Sequence, residues 1–138
     1  MTPRLAAGLL LPAIVLALAG CAVAPASRCA PGQAAMRAEL LYFGTAGPRG
    51  TVSPEDWRDF VDEVVTPRFP DGLTAWPANG QWKPAGGAAV REASWVLSIV
   101  HRPDAASEAA IAGIAEAYKT RFQQESVLRV SSDACVSF

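Results

Sequence analysis

The chain has one histidine and three cysteines, which limits at the outset the chemistry it can do. His101 closes an alternating apolar segment, and no cluster of cysteine, histidine or carboxylate stands near it at metal-ligand spacing. The sequence therefore assigns no metal, no cofactor and no catalytic residue. As a lone imidazole at a strand end, His101 reads as a surface or edge side chain, and as a general base it would lack a visible partner. The stretch Gly44–Gly50, "GTAGPRG", precedes a helix start, where free N–H groups can bind an anion. It lacks the lysine and hydroxyl of a phosphate loop, so it reads as a plain connection. What remains is a trio on three separate segments: Tyr42, Ser98 and Arg129. A phenol, a hydroxyl and a guanidinium above short apolar side chains could hold a small anionic or hydroxylated ligand, provided the fold brings them to one surface.

The elements that would position the trio can be read from periodicity. "AELLYFG", Ala38–Gly44, is short, apolar and aromatic and stops at glycine, as a strand does. Ser53-Pro54-Glu55-Asp56 is a helix start, with an N-cap hydroxyl, proline at N1 and acids in the first turn. Trp57, Phe60, Val61, Val64 and Val65 then share one helical face. Pro67 and Pro70 end that helix in "TPRFPDGLT", where Phe69 can pack back, Asp71-Gly72 can turn, and Arg68 can complement the helix C-terminus. "GLTAW" is a second strand, expected to be irregular through Pro77, Asn79 and Gly80, with Pro84–Gly87 as a hairpin turn.

"REASWVLSIVH" is a third strand with Trp95, Leu97 and Ile99 on one side and Ser94, Val96, Ser98 and Val100 on the other. Asp104 or Ser107 can cap a second helix buried along Ile111, Ile114, Tyr118 and Phe122. In the last strand Leu128 and Val130 alternate with Val127, Arg129 and Ser131. The order βαββαβ predicts an α+β, ferredoxin-like domain: a four-stranded antiparallel sheet, two helices on one face, and the first strand between the third and the last. Packing the bulky side of every strand on the helices leaves Tyr42, Ser94, Val96, Ser98, Val127 and Arg129 on the open face. That face is expected to be solvated, to pair with a second copy as a homodimer, or to bind a ligand. It lacks the aromatics on both first and third strands that an RNA-binding sheet uses.

The N-terminus sets the location. Arg4 and the apolar run Leu5–Leu18 form a secretory signal, and "LAGC" ahead of Ala22 resembles a bacterial lipobox with Cys21 as the lipidated residue. The run falls short of a membrane span, so a lipid anchor attaches the mature protein to the extracytoplasmic side of a bacterial envelope membrane. Residues 1–20 are then the signal, 21–36 an Ala/Pro-rich tether and 37–138 a single domain. Twelve basic against 13 acidic residues give net charge -1, which with export excludes a nucleic-acid partner. With Cys21 taken by lipid, Cys29 and Cys135 remain for one disulfide, because the end of the last strand should lie beside the start of the first.

Several segments together, "ELLYFG", "TPRFPDGLT", "GQW", "RE" before the third strand, "YKTRFQQESVLRV" and the terminal "VSF", resemble the bacterial DUF3574 family, a domain of unknown function that includes lipoproteins. The resemblance spans nearly all of Glu39 to Phe138. It implies the same boundaries and envelope location, and no activity or site residue. The expected function is a lipid-anchored domain that binds a small molecule or another envelope protein. The alternative is a small-molecule enzyme similar to dimeric α+β barrels, in which paired sheets enclose a pocket.

Overall fold

The computed structural model describes residues 29–83 and 86–138. The signal, Cys21 and most of the tether lie outside the described residues, as does part of the Pro84–Gly87 turn. Six strands and two helices follow in the order β1 Ala34–Gly44, β2 Ala46–Gly47, β3 Gly50–Thr51, α1 Pro54–Phe60, β4 Thr74–Trp82, β5 Val90–His101, α2 Ala105–Phe122 and β6 Leu128–Val136. The main sheet is antiparallel in the order β4-β5-β1-β6. It is the ferredoxin-like α+β arrangement, with both helices on one face.

Strand β1 is central because it is the most apolar, and it begins earlier than its pattern suggests. Residues Ala34–Met36, expected in the tether, pair with Ala134–Val136 of β6. At that end Cys29 is joined to Cys135 by a disulfide with Cα atoms 5.4 Å apart. The connection after β1 is more ordered than a loop, since β2 and β3 form a two-residue ladder. Thr45 and Val52 close it by a backbone bond of 2.9 Å.

Helix α1 starts with a full capping box: Asp56 N–H donates to Ser53 Oγ at 3.1 Å, and Ser53 N–H to Asp56 Oδ2 at 2.9 Å. The helix then widens into a π-helical turn, Val61–Val65, in which Thr66 N–H donates to Val61 O at 2.8 Å. The extra residue in that turn brings Val65 into the core, while Val61 and Val64 are only half-buried. Strand β4 runs unbroken through Pro77, contrary to the expected irregularity. It is an edge strand, and an edge tolerates a residue without an N–H donor.

The core lies between sheet and helices. Leu41, Phe43, Leu97 and Ile99 meet Trp57, Phe60, Ile111, Ile114 and Tyr118 there. Phe43 is its centre, with ring centroids 4.6 Å from Tyr118 and 5.1 Å from Trp57, and Trp57 stacks on Trp95 at 5.3 Å. The buried Tyr118 hydroxyl donates to Gly44 O at 2.9 Å, which ties α2 to the end of β1. Burial pushes its pKa upward, with the nearby Glu92 and Asp56 charges adding to the effect.

Candidate functional site

Two regions of the sheet carry side chains whose placement needs explaining. The first is a charged cluster on the helix-covered side. Glu39 has no solvent exposure at all, although it lies on β1 among apolar neighbours. Its partners come from the two neighbouring strands, β6 and β5. Arg129, on β6, donates from Nε to Glu39 Oε2 at 2.7 Å and from Nη2 to Oε1 at 2.6 Å. Ser131, directly opposite Glu39, donates to Oε1 at 2.7 Å. The same Arg129 Nη2 reaches Glu108 of α2 at 2.7 Å, so one guanidinium clamps β1, β6 and α2 together. Burial opposes ionisation of Glu39, but the hydrogen bonds from Arg129 and Ser131 and the Arg129 and His101 charges outweigh it and hold its pKa below the ordinary value. The same carboxylates push the Arg129 pKa further upward against the cost of burial.

His101 belongs to this cluster and is 5 % exposed, which corrects its reading as a surface residue. It stands opposite Arg37 on β1, with Nδ1 2.6 Å from Arg102 O and its ring centroid 5.7 Å from that of Phe69. Nε2 faces Glu39 Oε1 at 3.6 Å and makes no hydrogen bond. Nδ1 therefore donates to the carbonyl, and a proton on Nε2 would point at the carboxylate. Glu39, His101 and Glu108 are close enough together for a metal ion. Arg129, however, already spans both carboxylates, and a cation would have to displace a bidentate pair. The cluster's carboxylates are paired within the chain, while His101 Nε2 and Arg37 Nε stay without a hydrogen bond.

The Arg129 position overturns an expectation. Arg129 stands opposite Leu41, so both point under the helices. The facing of β6 is inverted relative to the reading that the bulky side packs on the helices. Leu128 and Val130 project from the open face at 62% and 47% exposure. Val127, just before β6, packs on the core instead of on the open face. The physical reason is Glu39: a fully buried carboxylate requires a cation, and only the helix-side positions of β6 can supply one. Tyr42, Ser98 and Arg129 therefore do not converge. Tyr42 and Ser98 are on the open face as expected, two register steps apart, and Arg129 is behind the sheet.

The second region is the open face itself. Besides the C-terminal Phe138, the exposed large apolar residues among the described ones are Tyr42, Trp76, Trp82, Val90, Val100, Leu128 and Val130. The register puts all seven on this face. Tyr42 lies between Val96 and Leu128, Trp76 opposite Val96, Trp82 opposite Val90, Leu40 between Ser98 and Val130, and Val100 opposite Ala38. Sequence alternation alone could have found Trp76 and Trp82 here had β4 been read as one continuous strand, since they are six residues apart and so share a side.

Arg68 occupies the expected place. Its Nη1 donates to Val64 O at 2.5 Å at the end of the first helical segment, Phe69 is buried beneath it, and Gly72 turns with φ 151° into β4.

Comparison with known proteins supports this architecture. A model of the family described as "Protein of unknown function (DUF3574)" matches residues 38–138. No curated protein matches the chain. Among solved structures, a phage SAM lyase in complex with S-methyl-5'-thioadenosine superposes with a TM-score of 0.58 at 15% identity, covering 83% of this chain and 97% of that one. CutA from Synechococcus elongatus superposes with a TM-score of 0.51 at 10% identity, covering 75% and 81% respectively. At these identities the likeness is one of fold. From β1 to the C-terminus, the chain is a member of the DUF3574 family.

Proposed function

We propose that the protein is a lipid-anchored, extracytoplasmic interaction domain that associates with a second copy of itself through the open face of the sheet. The observation that carries this reading is the concentration of seven exposed large apolar side chains on one face, spread over all four strands. Scattered apolar residues are normal on a protein surface, but a contiguous sheet of them marks a contact site. Two such faces can pack about 10 Å apart as in a sandwich, each burying the other's tryptophans. The "LAGC" sequence at Cys21 supports the anchor. A tether on one side of a membrane would also confine copies to a plane and raise their effective concentration.

The test is the mass of the detergent-solubilised full chain by light scattering. It should exceed that of a monomer and fall to it for Trp76→Lys, which places a charge among the exposed apolar side chains of the face. A monomeric wild-type protein would refute self-association. The anchor is tested separately: Cys21→Ser should abolish acyl labelling and leave an unprocessed precursor, and normal labelling of that variant would refute it.

A second reading is a small-molecule enzyme, favoured by a groove at one end of the same face beside Tyr42 and Trp82. The phage enzyme that shares the fold is a SAM lyase. Consumption of SAM by the purified chain would support this reading. The absence of any turnover would leave the groove as a binding site.

A further inference from the structure

We infer that this groove is a binding site for a small organic cation, an onium group carried on an apolar body. The inference goes beyond self-association, and because Tyr42, Trp82 and Leu128 belong both to the groove and to the face proposed to pair, ligand and second copy would compete for them. The groove encloses ≈ 600 Å³, within the roughly 300–1,000 Å³ range of small-ligand sites. Its walls are the aromatic rings of Tyr42 and Trp82, with Leu128 beside them. Among the described residues its charged lining is Glu92 and Glu125, with no lysine, arginine or histidine. The displacement of Arg129 to the covered side thus reverses the charge of the ligand expected from sequence, from anion to cation.

Glu92 is held in place for such a role. Ala46 N–H donates to its Oε2 at 2.8 Å. Its Oε1 lies over Gly44, where a Cβ would sit only 2.8 Å away. Opposite Glu92 on β4 is Gly80, and two residues further along β5, opposite Ser94, β1 has Gly44, so each neighbouring strand lacks a side chain close to Glu92. The hollow formed by Gly44 and Gly80 is followed along each strand by an aromatic residue, Tyr42 on β1 and Trp82 on β4. An oriented carboxylate in a groove whose lining also carries two aromatic residues is a composition that attracts a cation whose charge is spread over methyl groups.

Choline and its uncharged carbon isostere, in which tert-butyl replaces trimethylammonium, are the probes. Titrated into the full chain and followed by tryptophan fluorescence and calorimetry, choline should bind saturably and the isostere should not. Glu92→Gln keeps an oxygen for the Ala46 N–H and should weaken choline binding by about tenfold with an unchanged melting temperature. Should that variant fail to fold, Trp82→Leu provides the same test at an exposed position. Equal binding of choline and isostere, no saturable binding of choline, or undiminished binding by the folded variant would overturn the proposal. Light scattering reports association independently, so failure of one idea leaves the other standing.

Discussion

The two sides of the sheet differ in the opposite sense to their exposure. The side under the helices contains a carboxylate with no solvent access, Glu39, and the guanidinium that answers it; the side without helices presents tyrosine, tryptophan, valine and leucine. Buried charge costs desolvation energy and persists only with close partners, whereas exposed apolar area costs free energy until something covers it. The carboxylates of the covered side are thus paired within one chain, whereas the open side keeps large apolar side chains exposed. Adjacent residues of β6 show the division most sharply: Arg129 belongs to the first and Val130 to the second.

The largest expected effect comes from breaking the covered side. Arg129→Ala would leave Glu39 buried without its cation and should cost about 3 kcal/mol, read as a drop in the urea midpoint. Replacing both partners by apolar residues of similar volume, Glu39→Leu with Arg129→Met, should recover most of that loss, because no charge then remains to be satisfied. A neutral Arg129→Ala would show that Glu39 is not held as described.

The same pair predicts a pH dependence. Glu39 has a folded-state pKa below its unfolded value, so the unfolded chain binds more protons as the medium is acidified. Its stabilising contribution is present above the ordinary carboxylate range and is lost as pH falls through the depressed folded value. Glu39→Gln should flatten the acid limb of a stability-against-pH curve. An acid limb identical to that of the parent would assign the dependence to other groups.

A smaller effect is expected at the helix exit. Arg68→Ala removes a donor to Val64 O from an exposed position and should lower stability by about 1 kcal/mol or less, with association intact. Loss of association at unchanged melting temperature would move Arg68 from the fold to the interface. On the open face, Val130→Lys should change monomer stability by no more than about 0.5 kcal/mol, since Val130 is already half-exposed.

Much of this architecture was legible in the sequence because local signals agreed with the fold. The Ser53–Asp56 cap, the proline stop after α1, the Ile111–Ile114–Tyr118 stripe and the alternation of β5 each state their own structure. Two features were not legible, and for different reasons. The π-helical turn at Val61–Val65 leaves no compositional mark, as its residues fit an ordinary helical face as well. The facing of β6 was misread because bulk was taken to indicate burial. Leu128 and Val130 are more apolar than Arg129 and Ser131, yet the strand's orientation follows one charge on its neighbour, Glu39. The buried carboxylate near the start of "AELLYFG" is visible in the sequence only as an acid at the head of an apolar run, and that is the signal to follow. Only the placement of Leu128 and Val130 on the open face depends on this correction.

The most direct test of the account is sedimentation equilibrium of the detergent-solubilised full chain beside its Val130→Lys and Arg129→Ala variants, at a temperature where all are folded. The account predicts association for the parent and Arg129→Ala and a monomer for Val130→Lys, because only the latter alters the open face. A monomeric parent, or association that survives Val130→Lys and is lost with Arg129→Ala, would contradict it.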